Sequence, residues 1–434
     1  MCYLVPLSTP TLVRSIRRWD LVGVVINGVI GAGIFGLPSK VFALAGAYSL
    51  ISFVLCAICV AFTVLSFAEV ASRFSATGGP YLFARETYGP LTGFIVGWLV
   101  WVARITSFSA NINLLPAYLG FFFPKVATGA PRAVILTAII VLLTVLNVRG
   151  VRKVADASNV FAAGKLLTFL IFIAVGLFFI VPGRFVLAAA PDYRSFSQTI
   201  LLLVYAFTGF EMALIPAGEI RNPEKILPWA LLVGMSIVVA AYIAIQVVCI
   251  GTLPELASSQ RPLADAAARF LGTGGAIMIT TGIVLSLSGN LNILILSASR
   301  VMFAMAEHDQ LPAWLAKVHP RFRTPAATVV VAGAVNLALT LSGTFIYLVA
   351  ISTISRLITY MITCSALPVL RRRVNVPKAM FHAPGGVAAA VLAVLICIWL
   401  LTNSTFVEAR DTGIAIVVGL AIYVLHRRMR NSAA

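Results

Sequence analysis

Twelve long apolar runs, separated by short polar stretches, decide what this chain can fold into. They lie at roughly 20–45, 48–72, 91–119, 131–148, 158–181, 197–218, 227–251, 274–302, 325–341, 345–369, 386–402 and 412–425. A membrane-spanning helix needs about 17 to 25 apolar residues, a length that all but the last run reach. Only 11% of the residues are charged, whereas a soluble domain carries about a quarter, and the mean hydropathy is +1.01. The expected fold is an all-α integral membrane protein with twelve transmembrane helices. Residues 19–426 then form one transmembrane domain between cytoplasmic tails at 1–18 and 427–434.

Charge placement tests that layout independently, because Lys and Arg accumulate on cytoplasmic loops. With the N-terminus inside, 21 of the 32 basic residues fall on cytoplasmic segments and eight on the opposite side. Both termini then lie on the basic, cytoplasmic face of the plasma or inner membrane. The net charge of +18 reads as this bias and as attraction to anionic lipid, so no nucleic-acid partner is expected. The six cysteines lie in apolar runs or at the terminus, with no histidine or second pair to complete a zinc site. No metal and no cofactor are expected, and residues 1–20 carry no apolar core of signal-peptide type.

The first run contains "VINGVIGAGIFGLP" (25–38), with Gly28, Gly31, Gly33, Gly36 and Pro38 where a helix must cross the membrane. Glycine and proline weaken helix interiors. The G-x-G-x-x-G spacing from Gly31 to Gly36 matches a dinucleotide loop. That reading needs a preceding strand and an acidic residue about 20 positions on; here an apolar helix precedes, and the first acid downstream is Glu69. A broken transmembrane helix is the remaining reading. Inverted-repeat transporters break corresponding helices at mid-membrane to form the substrate site. The sixth run holds a matching interruption in "AFTGFEMALIP" (206–216). Repeat one is then expected over 20–181, repeat two over 197–369, and two further helices over 386–425. One glycine-bearing helix alone would suggest close helix packing; two at corresponding positions favour paired breaks.

These stretches, with "EVASRFSATGGPYLFARETYGPLTGFIVGW" (69–98), "SASRVMFAMAEHDQLPAWLAKVHPRFRTP" (297–325) and "RRR" (371–373), resemble the amino acid–polyamine–organocation (APC) superfamily of permeases over about residues 18–380. Its members have the inverted-repeat fold shared with the bacterial leucine transporter. The resemblance implies an amino acid substrate, a gating aromatic at Phe207, and a proton-coupling lysine in the fifth span, here Lys165.

An unwound segment frees N–H groups at the start of the outer half-helix and carbonyls at the end of the inner one. Those ends suit a carboxylate and an ammonium respectively. The expected substrate-binding residues are Ile30, Gly31, Ala32 and Gly33 at the first break and Ala206, Phe207, Thr208 and Gly209 at the second. Phe35 is a further lining candidate. Bulky replacement of Gly31 or Gly33 is expected to abolish binding and leave insertion intact.

Three basic residues lie inside spans, and such residues are functional candidates by default. Lys165 sits where its stem either snorkels or carries a proton. Arg104 and Arg356 lie near the centres of the third and tenth spans, and Arg104 departs from the family pattern. Glu211 is the matching mid-membrane acid. Two readings stay open: an arginine–Glu211 pair linking spans, or an arginine reading an anionic part of the substrate. "SLSGNLN" (286–292) offers hydroxyls and amides that could face the first span. The expectation is a secondary amino acid permease, not an enzyme, working by alternating access with proton symport. The alternatives are an amino acid, amine or polyamine exchanger and, more remotely, a channel or membrane enzyme.

Overall fold

The structure, a computed structural model, describes residues 17–75, 78–149, 154–187, 190–215, 217, 220–322, 324–373 and 376–431. Most of the expected N-terminal tail, Pro216, and Arg14, Arg152, Lys153 and Arg323 of the basic set lie outside the described residues, as do 432–434 of the C-terminal tail. The chain forms α1 (Arg18–Val29), α2 (Ala32–Ala45), α3 (Ser49–Ala71), α4 (Pro80–Tyr88), α5 (Pro90–Leu119), α6 (Gly129–Arg149) and α7 (Val154–Gly176). It continues with α8 (Tyr193–Phe207), a 3-10 turn at Phe210–Leu214, α9 (Pro223–Thr252), α10 (Pro262–Glu307), α11 (Ala326–Ser342), α12 (Phe345–Arg372), α13 (Gly386–Thr402) and α14 (Phe406–Asn431). No strand occurs among the described residues.

Helix starts follow local chemistry. Proline, whose missing N–H is harmless in a first turn, opens α4, α5, α9 and α10. The Asp192 side chain accepts from Ser195 N at the start of α8, and Thr344 accepts from Tyr347 N at the start of α12, both side-chain caps. The nine-residue α4 is too short and polar to register among the apolar runs.

Each of the twelve apolar runs falls on a helix or a pair of helical segments. Seven helical stretches among the described residues are long and apolar enough to cross a membrane, or eight if α13 and α14, bent by 114°, make one span. Shortness lowers that number. The 12 residues of α1 rise only about 18 Å, against a hydrocarbon core of about 30 Å. The last run is longer than its apolar stretch, since α14 extends to 26 residues. α10 continues helical bonding through a kink at Gly272.

Burial separates centre from periphery. The most apolar stretch of α8 with its following 3-10 turn is 94% buried and that of α5 83%, against 17% for α6. α5 packs between α10 and α12, α1 lies on α9, and α2 lies on α8.

At the C-terminal end of α3, the fully buried Glu69 carboxylate binds Arg371 of α12 through Nε and Nη2, each at 2.7 Å. It also accepts from Ala383 N at 2.8 Å and lies 3.6 Å from Arg73. One carboxylate thus ties α3, α12 and the segment leading into α13. Removing one partner of a buried ion pair costs about 3–5 kcal/mol, whereas an exposed pair contributes about 1 kcal/mol or less. Glu69→Ala should therefore lower the apparent melting temperature of purified protein markedly. Glu255→Ala, which breaks the exposed pair with Arg269, should leave it nearly unchanged.

Candidate functional site

Two backbone breaks meet at the centre of the bundle. α1 ends at Val29, Ile30 leaves helical geometry, and Gly31 (φ −125°, ψ −152°) starts α2. α8 ends at Phe207; Thr208 is extended (φ −83°, ψ 163°), and Gly209 turns left-handed at φ +110° before the 3-10 turn. A side chain on Gly209 would collide with the Gly28 carbonyl. A Cβ on Gly33 would stand 2.7 Å from Ala206 Cα, closer than real Cβ atoms come. Gly28, Gly33 and Gly209 are therefore the points where the two interrupted segments touch backbone to backbone.

The C-terminal end of α1 is capped from two other helices. Tyr242 of α9 donates to Val29 O at 3.1 Å. Lys165 of α7 donates to Ile30 O at 2.7 Å and to Asn27 Oδ1 at 2.8 Å. A cation there complements the negative end of the helix. Lys165 is 3% exposed, so its ammonium does not snorkel to the interface. The Val29 and Ile30 carbonyls, read from sequence as unpaired, already hold these partners.

Four buried polar groups surround the second break. Glu211 Oε1 takes Arg104 Nη2 at 3.2 Å and lies 3.8 Å from Arg356 Nε. Its Oε2 accepts from Tyr360 OH at 2.8 Å and from Gly209 N at 2.9 Å. Arg356 also donates to Thr208 Oγ1, and to Ser107 Oγ at 2.9 Å. The arginine–glutamate link between spans is thus present, with both arginines on one carboxylate.

Between the breaks lies a small cavity of about 20 Å³, room for roughly one water. Of the residues expected at the site, Gly31, Gly33, Thr208, Arg104 and Arg356 line it. Ile30, Ala206, Gly209 and Glu211 stand behind the lining, and Ala32 is described through its backbone alone. Phe207 is buried beside Phe53 and Tyr242, with ring centroids at 6.3 and 5.3 Å. Its neighbour Tyr205 faces the cavity instead. Phe35 packs against Phe169, also away from the cavity.

Sequence reading missed Ser107 and Asn111 of α5 and Tyr205 of α8, which also line the cavity. Asn111 accepts from Tyr205 OH at 2.7 Å and donates to Asn290 of α10 at 2.6 Å. Asn290 is the member of "SLSGNLN" that reaches the first break. The signal was available: Arg104, Ser107 and Asn111 recur at i, i+3 and i+7, one helix face.

Membrane-length helices arranged around two touching backbone breaks and a charged cavity define an integral membrane protein of the transporter class. The chain belongs to the amino acid permease family, whose model matches residues 16–425. It is 27% identical to the methylthioribose transporter of Bacillus subtilis (strain 168), over 98% of this chain and 95% of that one. It is 28% identical to the branched-chain amino acid permease BcaP of the same organism, over 97% and 94%. With the serine/threonine exchanger SteT, again from B. subtilis, identity is 30% over 94% and 95%.

Gly31 and Gly33 differ in what a side chain would meet. A Cβ on Gly31 would sit 3.4–3.7 Å from the Asn111 and Asn290 amides, an ordinary contact. Gly31→Ala should therefore retain wild-type stability, while Gly33→Val should lose about 1–3 kcal/mol through overpacking. Thermal unfolding of the two purified variants checks the contrast.

Proposed function

We propose that this permease carries amino acids across the cell membrane by alternating access, as a proton symporter. The observation that supports it best is the meeting of the two breaks around a charged cavity. In this reading the chain crosses the membrane twelve times with both termini in the cytoplasm. Repeats 20–181 and 197–369 lie inverted to one another, followed by two helices over 386–425, all within one transmembrane domain at 19–426.

The substrate carboxylate would sit at the N-terminus of α2, where Gly31 and Gly33 leave first-turn N–H groups without intrahelical partners. Ile30, Ala32, Ala206, Thr208 and Gly209 would complete a largely backbone cradle. Phe207 is the last residue of α8, two positions before the left-handed Gly209. A rotation about Thr208–Gly209 would carry its ring from the Phe53–Tyr242 packing toward the cavity, the movement asked of a gate. Lys165 would couple transport to protons: charged, it holds the end of α1 through Ile30 O; neutral, it loses the helix-end attraction and loosens that clamp.

Relatives with different named cargoes, a methylthioribose transporter and a branched-chain amino acid permease, match this chain about equally well. Family membership alone therefore does not choose a substrate. Likeness to a serine/threonine exchanger favours exchange as the second reading.

Purified protein in liposomes distinguishes the two. Symport predicts that an imposed proton gradient drives accumulation of labelled amino acid into empty vesicles. Lys165→Ala should abolish that accumulation and retain counterflow against preloaded substrate. Proton-driven uptake that survives Lys165→Ala unchanged would remove the lysine from coupling. Uptake that occurs only into preloaded vesicles would establish exchange.

A further inference from the structure

The charges around the cavity do not balance. Arg104 and Arg356 are 1% and 5% exposed, and among the described residues their one carboxylate partner is Glu211. Both Glu211 oxygens are already occupied, Oε2 by Tyr360 OH and Gly209 N. Arg356 spends its remaining contacts on the neutral hydroxyls of Thr208 and Ser107. Arg104 spends nothing further: its Nε and Nη1 meet no acceptor, although the residue lines the cavity. Lys165, close by at the first break, also rests on neutral oxygens.

A buried cation without a counterion costs several kcal/mol, and unmet guanidinium donors add to it. A structural tie between α5 and the second break needs only one arginine on Glu211. The second cation and the free donors are explained if a negative charge enters with the cargo.

We infer that the solute is an amino acid whose side chain ends in an acid group, received by Arg104 with Arg356 beside it. This rests on the amino acid transport reading above and specifies its substrate class. The α-amino and α-carboxyl groups lie at the two breaks, and the side-chain carboxylate points toward α5 and α12. Neutral amides of the same size and shape leave the arginine charge unpaired and are rejected. The cavity as it stands has room for about one water, so the acid enters when the site widens. Glu211 remains bound to Tyr360 and Gly209 and keeps the two guanidiniums together.

Paired isosteres test this on the intact wild-type chain. Reconstituted protein is assayed for uptake of labelled L-aspartate against L-asparagine and L-glutamate against L-glutamine, in chloride and in gluconate buffers, beside a panel of other amino acids. The expected result is a preference for one acid over its amide on the order of 100-fold in kcat/KM, the scale set by leaving a buried charge unpaired. The preference persists in gluconate. Arg104→Gln should bring the ratio to about one, while Arg104→Lys, which keeps the charge, should retain part of it. A wild-type acid-to-amide ratio near one, with other amino acids transported, overturns the inference and leaves the permease reading intact. So does uptake of neutral amino acids that depends on chloride, which would give the missing charge to an inorganic anion. Failure to move any amino acid overturns both readings.

Discussion

The rest of the architecture depends on one backbone contact, that between the Gly28 carbonyl and Gly209. Helices normally keep 8–10 Å between axes because side chains fill the space. Here two chain segments approach until a single added carbon would overlap, and both are interrupted where they do so. An uninterrupted helix could make the approach with glycine alone, as small-residue motifs do, but its N–H and C=O groups would all be used internally. Breaking both segments at the contact puts unpaired polar backbone in the middle of an apolar bundle. That is tolerated at membrane depth only where protein or a water-lined cavity receives it. The receiving groups are the Tyr242 hydroxyl, the Lys165 ammonium, and the Glu211 carboxylate on Gly209 N.

These groups and the two arginines beside them carry a cost of their own, because three basic side chains and one carboxylate lie almost without solvent. Hydrophobic residues of similar volume would pack at least as well. The charged set is also poorly satisfied, with Nε and Nη1 of Arg104 lacking acceptors. The Glu69 cluster makes the comparison plain. Its carboxylate has a two-point arginine contact, a backbone N–H and a second arginine nearby. One cluster is built for holding helices together, and the other leaves donors open toward a cavity.

The bundle was legible in the sequence because bilayer thickness fixes the length of an apolar run, and each of the twelve runs lies on helical structure. The breaks were legible because glycine clusters at 28–36 and Thr208–Gly209 stand out against Leu, Val and Ile. Side-chain direction was not. Phe207 and Tyr205 are two residues apart on α8, so they face different sides, and nothing local says which side holds the cavity. The occupants of the Val29 and Ile30 carbonyls were hidden for a related reason: Tyr242 and Lys165 come from helices far along the chain. Gly33 reads like Gly31 in sequence, yet only the fold brings Ala206 against it. The polar stripe of α5 is readable in the sequence, because Arg104, Ser107 and Asn111 share one helix face at i, i+3 and i+7.

The two ends of the bundle are not held alike. α3 and α8 run side by side in the same direction: Cys56 lies against Ile200, and Phe67 against Phe210. The Glu69 cluster therefore closes one end, and the start of α8 marks the other. At that other end a cavity of about 270 Å³ separates α8 and α12 from the α13–α14 connection, lined in part by Leu201, Leu202, Ile346 and Asn403. Separating α3 from α12 at the first end breaks a buried two-point ion pair, whereas widening the second end disturbs mainly van der Waals contact and exposed polar groups. A buried two-point ion pair therefore holds the first end, while a cavity lies beside the second. The break at Thr208–Gly209 lies between the two, where a rotation of the 3-10 turn moves Glu211, Phe210 and the end of α8 together.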